Sequence, residues 1–210
     1  MTFDEYWKLL WIIKRDSNVE QYYDELLRPL FKESIKNTKN VKVVPTFDTR
    51  YHGKSKTKYA CITGTDDKFV WPDYIFVPNN YTHTEPTSPY IKVEFKIPNV
   101  SEKNSQIIYY PIYKSSIRFY NEITAELSET PLILTDGITW LFLNSQSDID
   151  KIKSEKDIEK ICFFDKRQKY YKGNYVELFQ DAHKQFIILK KKINNFIKES
   201  KQYQTVNFGM

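Results

Sequence analysis

Apolar residues recur along this chain at two periods, and the points where the period changes mark its elements. Near the N-terminus the spacing is helical: Thr2 or Asp4 is placed to cap an amphipathic helix running to about Lys14. Asn18 is placed to cap a second one, with apolar residues at 19, 22, 23, 26, 27, 30, 31 and 35, and Pro29 is expected to kink or divide it. The period then shortens toward two. Residues 41–48 (VKVVPTFD) predict an extended segment, and 50–58 a basic loop. Residues 59–63 (YACIT) and 68–77 (KFVWPDYIFV) predict a strand pair around the turn GTDD.

A Pro-rich loop at 78–89 leads into a predicted strand at 90–98 (YIKVEFKIP). Residues 104–124 carry apolar spacing that predicts a helix in spite of Pro111. Strand character returns at 131–135, 138–143 and 158–165, with a polar loop at 144–157 that has room for one helical turn. A final amphipathic helix is expected over about 174–198, with Phe179, Ala182, Phe186, Leu189, Ile193 and Ile197 on one face. This order predicts an α/β domain with a central mixed β-sheet flanked by helices. It spans residues 1–199 and ends in a flexible tail at 200–210.

Composition narrows the setting. A chain of 210 residues, 40% hydrophobic and 28% charged, suits one globular domain with its own core. No apolar run is long enough to span a bilayer, and the acids ahead of the first apolar patch argue against a signal peptide, so no membrane partner is expected. Cys61 and Cys162 show no metal-ligand spacing and are expected as reduced thiols in the cytoplasm. The net charge is +5, and residues 166–199 hold nine basic residues against three acids. Within that segment Lys166, Arg167, Lys169 and Lys172 alternate with Tyr170 and Tyr171. Such a stretch suits nucleic acid, the cations holding phosphates and Tyr170 or Tyr171 stacking on bases. A polar loop with core tyrosines has the same composition.

The charges inside the strands carry the chemistry. Residues two apart in a strand share a face, so Glu94 and Lys96 point one way while Val93, Phe95 and Ile97 point the other. If the segment holding Asp73 lies beside that strand, Asp73, Glu94 and Lys96 converge. Two carboxylates brought together repel, and burial raises the cost. A divalent cation relieves it, and hard oxygen ligands with an incomplete protein shell suit Mg²⁺ or Mn²⁺. A lysine beside such an ion can orient an attacking water or stabilise charge on phosphorus.

The pattern Pro72-Asp73, then Glu94-Phe95-Lys96 after 21 residues, resembles the motif of the PD-(D/E)xK nuclease superfamily. One branch of that superfamily carries Q-x-x-x-Y on the helix after the E-x-K strand, and Gln106 and Tyr110 match that spacing. Residues 131–143 (PLILTDGITWLFL) and 19–31 (VEQYYDELLRPLF) resemble segments of the N-terminal nuclease domain of type I restriction enzyme motor subunits. The resemblance covers about residues 18–143 and departs from those enzymes in that this chain carries no P-loop. It implies a restriction-endonuclease-like core and a metal-dependent endonuclease acting on DNA in restriction, phage-defence or mobile-element biology. Asp73, Glu94, Lys96, Gln106 and Tyr110 would be catalytic, and Asp73, Glu94 and Glu20, or Glu25 in its place, would hold Mg²⁺ or Mn²⁺.

Other readings stand beside this one. A solvent-facing strand explains Glu94 and Lys96 singly, and Asp136 in the TDG turn is expected to cap that turn and not to bind metal. The fold is also compatible with an inactive nucleic-acid-binding or interaction module, or with an RNA endonuclease similar to viral cap-snatching domains. The latter often place a histidine on their first helices, whereas this chain has none before His52. DNA is therefore favoured over RNA as partner. One site per chain and double-strand cleavage would favour a homodimer or association with a larger defence or mobile-element complex.

Overall fold

A computed structural model of the chain describes residues 1–16, 23–46, 61–63, 68–70, 72–82, 88–103, 106–113, 117–127, 130–154, 159–163 and 181–208. Its first helix, α1 (Phe3–Asp16), is capped as the sequence predicts. Glu5 N–H donates to Thr2 Oγ1 at 3.2 Å and Thr2 N–H donates to the Glu5 carboxylate at 2.7 Å, a reciprocal capping box. Helix α2 (Asp24–Ser34) continues through Pro29 without dividing. Pro29 lies on its exposed side, where the missing N–H costs one bond to the Glu25 carbonyl while Leu26, Leu27, Leu30 and Phe31 anchor the buried side. The residues expected to start this helix, 17–22, lie outside the described residues, and Glu20 is among them.

The central sheet has six strands in the order β1-β4-β5-β8-β9-β10. They are β1 (Lys42–Pro45), β4 (Tyr74–Val77), β5 (Ile91–Phe95), β8 (Leu132–Thr135), β9 (Thr139–Leu143) and β10 (Lys160–Cys162). All pairings are antiparallel except β5 with β8. A parallel pair needs a crossover, and helix α3 (Ile117–Leu127) supplies it. Pro45, which has no N–H for a ladder, sits in an edge strand. The mixed α/β architecture expected from the sequence is therefore present.

Side-chain alternation divides the core by sheet face. Tyr74, Phe76, Val93, Phe95, Ile133, Trp140 and Phe142 bury one face against α1, α2 and the long helix α5 (Ala182–Phe208). Leu132, Leu134, Leu141 and Leu143 bury the other against α3 and α4 (Gln146–Lys153). The predicted apolar face of α5 is buried at Ala182, Phe186, Leu189, Ile193 and Ile197, while Phe179 lies outside the described residues. The backbone stays helical to Phe208, beyond the tail expected from residue 200. The loop expected at 144–157 holds a two-turn helix, α4, and the Asp148 carboxylate accepts the N–H groups of Asn144 and Ser145 at its start.

Two expectations, one of a strand and one of a helix, need correction. Residues 68–77 do not form one strand: β3 (Lys68–Val70) pairs with β2 (Cys61–Thr63) in a separate hairpin, and β4 belongs to the central sheet. Pro72, which cannot donate, sits at the break. Residues 104–124 are not one helix either. Strands β6 (Asn99–Lys103) and β7 (Gln106–Tyr110) form a second two-stranded hairpin, and α3 (Ile117–Leu127) follows beyond Pro111. Pro111 lacks the N–H that a helix through this point would require, and the apolar run Ile-Ile-Tyr-Tyr serves a strand as well as a helix.

Candidate active site

Strands β4 and β5 are neighbours, with Tyr74 opposite Val93 and Ile75 opposite Lys92. Asp73, just ahead of β4, is tied to β5 twice: its N–H donates to the Val93 carbonyl at 2.9 Å, and its Oδ2 accepts the N–H of Phe95 at 2.7 Å. Its own carbonyl accepts the Thr46 N–H at 2.9 Å from the end of β1. The carboxylate of Asp73 is thereby seated against the backbone between Glu94 and Lys96. On β5, Val93 and Phe95 enter the helix α1/α2/α5 core, and Lys92 and Glu94 occupy the opposite face, beside Leu132 and Leu134 of β8.

Both charged residues on that face are buried, Lys92 with 2% and Glu94 with 5% of its surface exposed. Lys96 Nζ donates to Glu94 Oε1 as an ion pair, and its side chain is about one-third exposed. Its backbone N–H donates to the Thr135 carbonyl at 2.9 Å, which carries the β5–β8 pairing past the end of β5. Asp73, Glu94 and Lys96 thus form one group across two strands.

Donor chemistry fits a hard divalent cation in kind. Asp73 and Glu94 offer carboxylate oxygens, and Mg²⁺ takes one or two carboxylates with water and phosphate filling its remaining positions. Each carboxylate, however, commits one oxygen to the chain, Asp73 Oδ2 to the Phe95 amide and Glu94 Oε1 to Lys96. Among the described residues no group of three or more His, Cys, Asp and Glu side chains could hold a metal ion.

Glu25 lies on the exposed side of α2, and Glu20 lies outside the described residues, as do Lys166, Arg167, Lys169, Tyr170 and Lys172. Gln106 and Tyr110 stand at opposite ends of β7, four strand residues and roughly 13 Å apart, where a helix would have placed them about 6 Å apart. Tyr110 is 47% exposed.

Two groups near the site are not foreseen by the motif. At the start of α2, Asp24 Oδ1 accepts the Tyr74 hydroxyl at 2.9 Å and the Arg28 Nε–H at 2.9 Å. Tyr74 is raised well above the usual phenol range, first by burial and then by the negative charges of Asp24 and Asp73. Tyr23 packs on Phe95 with ring centroids 4.6 Å apart, so the start of α2 rests on the residue between Glu94 and Lys96.

The second group is the TDG turn. Asp136, buried to 1% exposure, accepts the N–H of Ile138 at 2.9 Å and of Thr139 at 2.7 Å on Oδ1, so it caps the turn as the sequence predicts. Its Oδ2 accepts the Tyr109 hydroxyl at 2.5 Å. Burial pushes the Asp136 carboxyl up to about 6, against the opposing pull of these donors. Compared with known proteins, the chain matches no family model, no curated protein and no solved structure.

Proposed function

We propose that the chain is a metal-dependent endonuclease with a restriction-endonuclease-like core that hydrolyses phosphodiester bonds, with DNA as its substrate. The observation that carries this reading is the contact of Asp73 Oδ2 with the Phe95 amide, 2.7 Å long, which seats one carboxylate between Glu94 and Lys96 on the neighbouring strand. The sheet order supports it too: the strand with the E-x-K pattern leads, through a hairpin and helix α3, to a parallel neighbour.

In this reading Asp73 and Glu94 hold Mg²⁺ or Mn²⁺, which when bound supplies a Lewis acid for a phosphoryl oxygen. Lys96, which pairs with Glu94, would then be the group whose ammonium orients the attacking water or meets charge developing on phosphorus. The +5 net charge favours a polyanionic substrate. No helix among the described residues is long and apolar enough to cross a membrane.

The test is incubation of supercoiled and single-stranded DNA, and of RNA in parallel, with Mg²⁺ or Mn²⁺, beside Asp73→Ala and Lys96→Ala. Nicking of DNA by the wild type alone is expected; equal nicking by all three proteins defeats the reading, and cleavage confined to RNA transfers it to an RNA endonuclease. A second reading, an inactive nucleic-acid-binding module, is favoured by one feature: Glu94 already has the cation Lys96 as partner. Calorimetry separates the two, because a competent site binds Mn²⁺ and loses it in Glu94→Ala.

A further inference from the structure

The β6–β7 hairpin leaves the central sheet directly after Lys96 and returns just before Pro111. Both of its roots are fastened to the same turn. At the outgoing root, Lys96 N–H donates to the Thr135 carbonyl at 2.9 Å. At the returning root, the Tyr109 hydroxyl donates to Asp136 Oδ2 at 2.5 Å and lies 2.7 Å from Thr139 Oγ1. The turn itself is braced by side chains. Thr135 Oγ1 donates to the Thr139 carbonyl at 2.9 Å and accepts the Gly137 N–H at 2.9 Å, and Tyr6 of α1 donates to the Gly137 carbonyl at 2.7 Å. Thr139 Oγ1 also reaches Cys162 Sγ of β10 at 3.3 Å.

Within the hairpin the two adjacent tyrosines divide in role. Tyr109 is buried and anchors the root, while Tyr110 is exposed at the same end. Because Lys96 is one of the anchored residues, anything that loosens the returning root also loosens the backbone from which Lys96 reaches Glu94. We infer that Asp136, acting through Tyr109, is a positioning residue: it clamps the returning root of the β6–β7 hairpin to the 135–139 turn, the same turn whose Thr135 carbonyl holds the Lys96 amide, and so steadies Lys96. That the hairpin then stands as an arm beside a bound nucleic acid rests on the endonuclease reading; the clamp itself does not.

The test uses Tyr109→Phe, which keeps the ring and removes the donor, and Asp136→Asn, which keeps an acceptor for both turn amides and a polar group for Tyr109. In Tyr109→Phe, amide hydrogen exchange across residues 97–110 is expected to quicken about tenfold or more, the loss of one hydrogen bond to a charged group, while the amides of α5 keep wild-type rates. Asp136→Asn should keep most of the wild-type protection. In the Mn²⁺-dependent DNA assay, Tyr109→Phe should lower turnover about tenfold with Mn²⁺ affinity unchanged within about twofold, which a general loosening would not do. Wild-type exchange at 97–110 in Tyr109→Phe overturns the clamp, as does acceleration that spreads equally to α5. If the wild type does not cut nucleic acid, the endonuclease reading fails, and the exchange rates alone decide the clamp.

Discussion

Asp136 makes a pH dependence of folding that can be worked out from its surroundings. Burial raises its carboxyl from the ordinary 3.8 to about 6 even though the Thr139 amide, the Tyr109 hydroxyl and the Ile138 amide all favour the ionised form. The folded state therefore binds this proton more tightly than the unfolded chain does. The stabilisation from the protonated form is complete below pH 3.8 and is lost as the pH rises through about 6. A displacement of about two units corresponds to about 3 kcal/mol at 1.36 kcal/mol per unit. The titratable groups facing Asp136 are Tyr109 from β7, Tyr6 from α1 and, through Thr139, Cys162 from β10. Burial holds both phenols above their usual range, so neither changes charge between pH 4 and 7. Asp136→Asn removes the titration and keeps the shape. Urea unfolding of both proteins at pH 4 and pH 7 should show the difference moving by about 2 kcal/mol in favour of the Asn variant at the higher pH, since at pH 4 part of the full span is already lost. A difference that stays flat refutes the reasoning, and one that moves the other way shows that the turn donors outweigh the burial.

Gly137 has φ +82°, and an added Cβ would stand 3.0 Å from Leu10 Cδ1 and 3.2 Å from the Tyr6 hydroxyl. Gly137→Ala should therefore lower stability by about 2–3 kcal/mol, combining left-handed strain with displaced core atoms, and a denaturant midpoint equal to wild type would contradict this. Lys92 lies on the Glu94 face two residues away, so removing its charge in Lys92→Met should strengthen Mn²⁺ binding about tenfold by the Coulomb term alone. Calorimetry reads it directly, with Lys92→Arg expected to stay near wild type. Tyr110→Ala should lower stability by no more than about 1 kcal/mol, since about half of that residue is in solvent, and should weaken nucleic-acid binding if the hairpin lies along the substrate; thermal unfolding and a binding titration check the two halves.

The period-two pattern around Glu94 was readable because each face of β5 has one character: Val93 and Phe95 are apolar and enter the core under α1, α2 and α5, and Lys92, Glu94 and Lys96 are charged. The ends of α1 and the TDG turn were readable because their bonds span only a few residues, Thr2 to Glu5 and Asp136 to Thr139. The hairpin at 99–110 was not. Asn-Val-Ser-Glu-Lys has little apolar character, and what makes it a strand is pairing with Gln106–Tyr110, a partner no local window reveals. The run Gln-Ile-Ile-Tyr-Tyr satisfies helical and extended patterns alike, so Pro111 was the informative residue. At the start of α2 the acids Asp24 and Glu25 are adjacent and indistinguishable by composition. Only the fold turns the first toward Tyr74 and leaves the second exposed.

The four charges at the candidate site sum to zero without any ion, Lys92 and Lys96 against Asp73 and Glu94. That balance explains how a strand with a buried acid and a buried lysine folds at all, since an uncompensated charge at such depth would cost several kcal/mol. It does not explain why the charges are there. Apolar residues of similar volume in place of a buried ion pair are often as stable or more so, whereas removing one partner costs about 3–5 kcal/mol. Stability therefore favours Leu at positions 94 and 96 as readily as Glu and Lys. What the charged pair adds is a carboxylate with a cation in contact with it, on the strand whose backbone also seats Asp73. Under the proposed reading a divalent ion would meet carboxylates already gathered and would compete with Lys96 for Glu94. Lys96→Met should strengthen ion binding while abolishing turnover, an opposition that a purely structural salt bridge does not produce.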